Sequence, residues 1–276
     1  MILGLSSSLT YRSPQDWARK HKALGCDAVV FPIDSNAPQN QIDDFYQAAK
    51  EEKLTIAEVG VWKNTLAADV TERNKNIHYA INQLKMADYI GANCCVNIIG
   101  TPHGPIWDGA YAGNYSEQTY RMAVQMIQYI IDEAAPQKTK YTIETMPWMI
   151  PSSPDEYVQL IKDVNRDAFG VHLDFINMIN CPKRYFFPQD FMKECFDKLK
   201  NRIVSCHLKD VLLKNEYTFQ LKECACGQGT MPLELYAELA TKERKNMPMI
   251  IEHLDSDEAY LESLSYVKNR LHRYIK

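Results

Sequence analysis

The sequence predicts an α/β fold, a single (β/α)₈ barrel of the TIM type spanning residues 1–276. Three observations carry that expectation. Eight short apolar runs alternate with helical stretches, without a linker or composition shift, and such alternation means a parallel sheet. The 276 residues sit close to the roughly 250 that eight βα units need. Four of the later runs end in a carboxylate or a histidine one βα unit apart, and polar residues so placed meet at one end of a barrel.

The elements follow in order. Residues 1–5 form a short apolar strand before Ser6, Ser7 and Ser8. Ser13 caps a helix with Pro14 at its first position, and that helix ends near Gly25. A second strand covers 27–33, a helix 39–52, and a third strand 54–62, LTIAEVGVW, with Gly60 and Trp62 at its tip. A long helix over 70–90 stops at Gly91. The fourth strand, 94–99, empties into GTPHGPIWDGAYAGNYS, a loop of 17 residues. Loops that long usually serve as lids or binding loops, and Gly104, Gly109 and Gly113 suggest a mobile one. Ser116 caps a helix to about residue 135. Strand five is 141–146, and Ser153-Pro154 opens a helix to about residue 166. Strand six is 169–175, followed by a helix over 187–200 and strand seven at 203–208. A polar stretch to Met231 contains Gly227-Gln228-Gly229. A helix at 233–242, strand eight at 249–252 and a closing helix at 257–274 complete the chain.

Composition narrows the function. Hydrophobic residues make up 46% and charged residues 24%, an ordinary globular balance that permits a sizeable core. The net charge of −4 offers no basic footprint for nucleic acid or an anionic membrane. The N-terminus lacks the basic and apolar regions of a signal peptide, and no run of about 18 apolar residues suggests a membrane span. Eight cysteines, several inside apolar runs, fit a reduced, cytoplasmic protein. Cys224-Ala225-Cys226 has no second cysteine pair to complete a metal site and reads as incidental. Gly227-Gln228-Gly229 is too short to be a phosphate fingerprint.

The chemistry is expected at four strand ends. Glu144 ends YTIE, Asp174 follows FGVHL, His207 lies in IVSCHLKD and Glu252 ends MPMIIE, at separations of 30, 33 and 45 residues. One such residue would ordinarily be a helix cap at a loop edge. Four at unit spacing point instead to a metal site. Three carboxylates and one imidazole suit Mn²⁺, Mg²⁺ or Co²⁺, with Zn²⁺ less natural. A metal that chelates a carbonyl and its neighbouring hydroxyl acidifies the C–H between them and stabilises the resulting enediolate. Return of the proton gives isomerisation or epimerisation, and loss of a β-hydroxyl gives a lyase or dehydratase.

The set IETMPW, HLDF, CHLKD and IIEHL resembles the sugar phosphate isomerase/epimerase family, xylose isomerase-like barrels related to ketose 3-epimerases, inosose dehydratase and endonuclease IV. The resemblance spans the chain as architecture, and strands five to eight as motif. It implies one divalent ion, usually Mn²⁺, held by Glu144, Asp174, His207 and Glu252, with Glu144 and Glu252 as the acid/base pair. It also resembles the family in its glycine-containing loop after strand seven. Two positions depart: Asn177 stands where the epimerases carry a substrate histidine, and Leu213 where they carry an arginine.

Other candidates complete the reading. Lys209 shares the inward face of its strand with His207 and is a candidate substrate contact, as are His103 and Asn177. Trp62, Trp107 and Trp148 could stack on a sugar or simply pack the rim. His172, two residues before Asp174, reads as a core histidine or as one that orients a metal ligand from behind. The partner expected is a small sugar or polyol ketone, with no nucleic acid and no membrane, and a second copy of the chain as a further candidate. An endonuclease of the related kind would need more histidine and acidic ligands than VGVW, Asn177 and the residues after His207 supply. A non-catalytic sugar-binding barrel would need no acid/base pair around a metal.

Overall fold

A computed structural model describes residues 1–6 and 9–276; Ser7 and Ser8 of the serine run lie outside the described residues. The chain order is β1 (Ile2–Leu5), α1 (Pro14–Ala23), β2 (Ala28–Val30), α2 (Gln39–Glu51), β3 (Thr55–Gly60), α3 (Val70–Ile90), β4 (Cys94–Asn97), α4 (Glu117–Ala134), β5 (Lys140–Glu144) and α5 (Pro154–Val164). It continues through β6 (Phe169–Leu173), α6 (Pro182–Phe186), α7 (Pro188–Leu199), β7 (Ile203–Leu208), β8 (Asp210–Leu213), β9 (Leu221–Cys224), α8 (Leu233–Glu243), β10 (Pro248–Ile251) and α9 (Asp257–Arg270).

Eight strands form one parallel sheet in the order β1-β10-β7-β6-β5-β4-β3-β2. The sheet curls until β1 and β2 face each other across the seam, where Asp27 N–H donates to Leu3 O at 3.0 Å. Among the described residues no ladder joins β1 to β2, so the barrel is nearly closed. Gly4 lets the two strands approach, since a Cβ there would collide with the Ala28 carbonyl. The barrel strands are buried along nearly their whole length, as expected where helices cover a parallel sheet.

The caps act as the sequence suggests. The Ser13 and Ser153 hydroxyls accept from Asp16 N and Glu156 N at 3.1 and 3.2 Å, and Gly91 ends α3 with φ of +67°. The strands run shorter than the apolar runs do. Pro32 has no N–H to give to a ladder, and β2 stops at Val30.

Two features depart from the sequence reading. The polar stretch after β7 is an antiparallel hairpin, β8 paired with β9. A short helix, α6, precedes α7. Side chains of the 17-residue loop and of Trp148 bridge it at several points. Thr101 Oγ1 donates to Asn114 Oδ1 at 2.6 Å, Asn114 Nδ2 donates to the Gly109 and Trp148 carbonyls, and Trp148 Nε1 donates to Asp108 O at 2.7 Å. This is the packing of a compact Ω-type loop.

Candidate metal centre

Glu144 is the last residue of β5, Asp174 directly follows β6, His207 lies near the end of β7 and Glu252 directly follows β10. β5, β6, β7 and β10 are consecutive neighbours in the sheet. Parallel direction therefore delivers all four side chains to one end of the barrel, and each is buried. One ligand atom from each lies within 4.8 Å of the others. His207 Nδ1 is the hub: it lies 2.8 Å from Glu252 Oε1, 3.1 Å from Glu144 Oε1 and 3.7 Å from Asp174 Oδ2.

Lys209 enters from β7's continuation and is itself buried. Its Nζ lies 2.7 Å from Asp174 Oδ2 and 3.1 Å from Glu252 Oε1. The approach to Asp174 is ionic only; Oδ2 receives no properly aimed hydrogen bond. Asn177 donates from Nδ2 to Glu144 Oε1 at 3.1 Å and to Thr145 O at 2.9 Å, while its backbone N–H donates to Asp174 Oδ1 at 2.9 Å. Asn177 and Lys209 thus join the four expected ligands.

The electrostatics are those of a site short of positive charge. Two like charges 4 Å apart repel by about 4 kcal/mol even at an effective dielectric of 20. Burial pushes the Glu144 carboxyl up to about 8, and the charges on Glu252 and Asp174 add to this against the pull of His207. Burial would lower His207, yet Glu252, Glu144 and Glu58 raise it well above its ordinary value. Asp174 goes the other way: burial opposes its charge, but Lys209 and His207 hold it well below the usual range. Three carboxylates and a hub imidazole, with an Asp174 oxygen left without an aimed donor, fit a hard divalent cation with oxygen-rich ligation.

A family model described as xylose isomerase-like TIM barrel matches residues 18–270. The chain belongs to that family. Among solved structures, this xylose isomerase-like barrel is similar to a family member from Mycobacterium smegmatis determined in complex with magnesium. The TM-score is 0.70 at 20% identity, covering 96% of this chain and 91% of the other. It is also similar to a D-psicose 3-epimerase from Clostridium cellulolyticum H10 determined with D-tagatose, at TM-score 0.73, 13% identity and full coverage of both chains. A probable 3-DHS dehydratase of petrobactin synthesis from Bacillus anthracis superposes at 0.71 with 13% identity, over 98% of this chain and all of the other. At such identities the likeness is one of fold. No curated protein matches the chain.

The remaining candidates lie around the barrel's rim. His103 pairs through Nε2 with Thr119 Oγ1 at 2.8 Å. Trp62, with φ of +46°, is partly exposed and lies over Gly60. Trp148 is tied to the Ω-type loop. A cavity of about 590 Å³ opens at the ends of β1 and β2, lined by Leu5, Tyr11, Trp17, His21 and Phe31.

Three polar residues near the site were not legible beforehand. Glu58 points inward from β3 and is buried. Burial opposes its charge, but His172 and His207 hold its carboxyl down at about 2. A charged residue inside the apolar run LTIAEVGVW was the available signal. Glu223, on the unforeseen hairpin, lies 3.1 Å from Lys209 Nζ. His253, at φ of +56°, pairs through Nδ1 with Glu223 Oε2 at 3.2 Å. His172, expected as a core histidine, is fully buried, and burial together with the charge on His207 pushes it down to about 4.

Asp210 has a purely architectural setting. Its Oδ1 accepts from Val211 N and Met231 N, and its Oδ2 from Gly227 N and Gly229 N, all at 2.8–3.1 Å. The Gly227-Gln228-Gly229 loop is thereby folded around a carboxylate. Gly229 leaves room for that carboxylate, and Gly227 takes φ of +91°.

Proposed function

We propose that this protein is a divalent-metal-dependent isomerase or epimerase of a sugar or sugar phosphate, moving a proton at the carbon beside a carbonyl. The observation that carries the reading is the convergence of Glu144 and Glu252, from β5 and the end of β10, on the same His207 Nδ1. Glu144, Asp174, His207 and Glu252 would hold the ion, Mn²⁺ first, with Mg²⁺, Co²⁺ and Zn²⁺ as alternatives. When bound, such an ion polarises a carbonyl and offsets the charge that proton loss leaves on its oxygen.

The chain's own residues supply the rest. The two glutamates flank β6 and β7, so one carboxylate can take a proton from one face of the substrate and the other can return it to the opposite face. Lys209, already donating to Glu252 Oε1, is the cation that meets negative charge developing beside that glutamate. Asn177 holds Glu144 Oε1 in place through its amide. His103, Trp62 and Trp148 would contact the substrate from the rim. Similarity in fold to a D-psicose 3-epimerase supports a sugar-like ketone as substrate.

A second reading has its own support. Asn177 spends its amide on Glu144 and Thr145, and Leu213 offers no charge where the epimerases have an arginine. Lys209 could protonate a departing hydroxyl, giving a lyase or dehydratase on the same residues.

The test is to load the protein with Mn²⁺ and screen ketoses, inososes, their phosphates and C-glycosides in D₂O. Solvent deuterium should enter the carbon beside the carbonyl. Glu144→Gln and Glu252→Gln should each lose at least about a hundredfold in turnover. Turnover with no deuterium in product or recovered substrate would mean hydride shift and would sink the two-glutamate scheme.

A further inference from the structure

We propose that Glu58, buried beneath the cluster on β3, is the positioning residue that holds the His207 proton on Nε2 and so leaves Nδ1, which faces the carboxylates, as the ligating nitrogen. The inference rests on the metal reading above. A neutral imidazole has a single lone-pair nitrogen with which to ligate, and the group bonded to the other nitrogen sets the tautomer. His207 Nδ1 faces Glu144 and Glu252 at 3.1 and 2.8 Å. Its Nε2 faces the other way, toward the barrel interior, 3.4 Å from Glu58 Oε2. With a proton on Nε2 donated to Glu58, the Nδ1 lone pair is free for the cluster. Turning the ring over would exchange both nitrogens for carbons and lose both contacts.

Glu58 is built to hold that role. A buried carboxylate is costly unless it is paired. Among the described residues Glu58 has no lysine or arginine partner; its ion-pair neighbours are the imidazoles of His207 and His172. Ser205, on β7 two residues before His207, donates from Oγ to Glu58 Oε1 at 2.8 Å. That bond aims the other carboxylate oxygen at Nε2. His172 packs edge-on against the His207 ring, with centroids 4.1 Å apart, and limits its tilt. β3 and β7 are not neighbours in the sheet, so the contact crosses the barrel interior.

The experiment uses the full chain with Glu58→Ala and Glu58→Asp. The second keeps the charge and withdraws the carboxylate by one methylene, so it serves if the first does not fold. Mn²⁺ affinity and stoichiometry are measured by titration. The His207 tautomer is read by NMR of ¹⁵N-histidine-labelled protein loaded with diamagnetic Mg²⁺ or Zn²⁺. Wild type should bind one ion with His207 protonated at Nε2. Each folded variant should bind about tenfold to a hundredfold more weakly and lose the single Nε2–H signature. A folded variant with wild-type affinity and tautomer overturns the inference alone. Two ions in wild type, falling to one in the variant, would make Glu58 a ligand and overturn its positioning role. A wild type that takes up no ion removes the metal reading and this inference with it.

Discussion

Glu144 and Asp210 are both buried carboxylates at the same end of the barrel, and their surroundings are opposites. Asp210 is met by four backbone N–H groups, so its charge is spent on shaping the loop after β9. Glu144 is met by an amide, an imidazole and two other carboxylates. One region uses a buried charge to hold the chain together. The other keeps buried charges against each other, which favours folding only if protons or a cation offset them. The difference separates an acid whose charge the fold satisfies from one whose charge the fold opposes, although both sit at strand ends and both look alike in the sequence.

Substitution separates the two acids. Asp210→Ala should cost roughly 4 kcal/mol of stability, because it strands several buried N–H groups that had a charged acceptor. Glu144→Gln, measured without metal, should cost less than about 1 kcal/mol or stabilise, since the fold already disfavours that charge. Denaturant unfolding in the presence of a chelator measures both. A larger loss in Glu144→Gln than in Asp210→Ala would reverse the assignment of the two regions.

A third buried titratable group lies outside both regions. His21 is buried with Nδ1 unpartnered, and burial pushes it from 6.5 down to about 4. The folded chain therefore refuses a proton that the unfolded chain accepts. Its contribution is present above pH 6.5 and is lost as pH falls toward 4, by up to about 3 kcal/mol. His21→Leu should flatten that part of the stability profile. An unchanged acid slope would show that burial alone does not hold this histidine neutral.

A binding measurement tests the cation. Mn²⁺ at a hundred times its dissociation constant should raise wild-type stability by about 2.7 kcal/mol. His207→Ala should gain almost nothing at the same concentration. Equal stabilisation of both proteins would place the ion elsewhere.

Much of this was legible in the residues themselves. The eight apolar runs, the caps at Ser13, Ser116 and Ser153, and the stop at Gly91 follow from local rules that need no distant contact. The convergence of Glu144, Asp174, His207 and Glu252 was also foreseeable, because a βα repeat returns each strand end to the same face. The hairpin β8–β9 was hidden because its strands do not alternate: in β9, Lys222 and Glu223 are exposed side by side between half-buried Leu221 and Cys224.

The sequence by itself determined the barrel and the four residues at its mouth, because periodicity and unit spacing act along the chain. Only the tertiary structure decided what lies behind them. Glu58 sits 149 residues from His207 in sequence, and their meeting depends on the barrel's curl bringing β3 opposite β7. Glu223 reaches Lys209 only because a hairpin folds back over the strand end. That His207 turns Nδ1 rather than a ring carbon to the carboxylates is likewise a matter of ring orientation in a packed interior, where neighbours from other strands set the side chain.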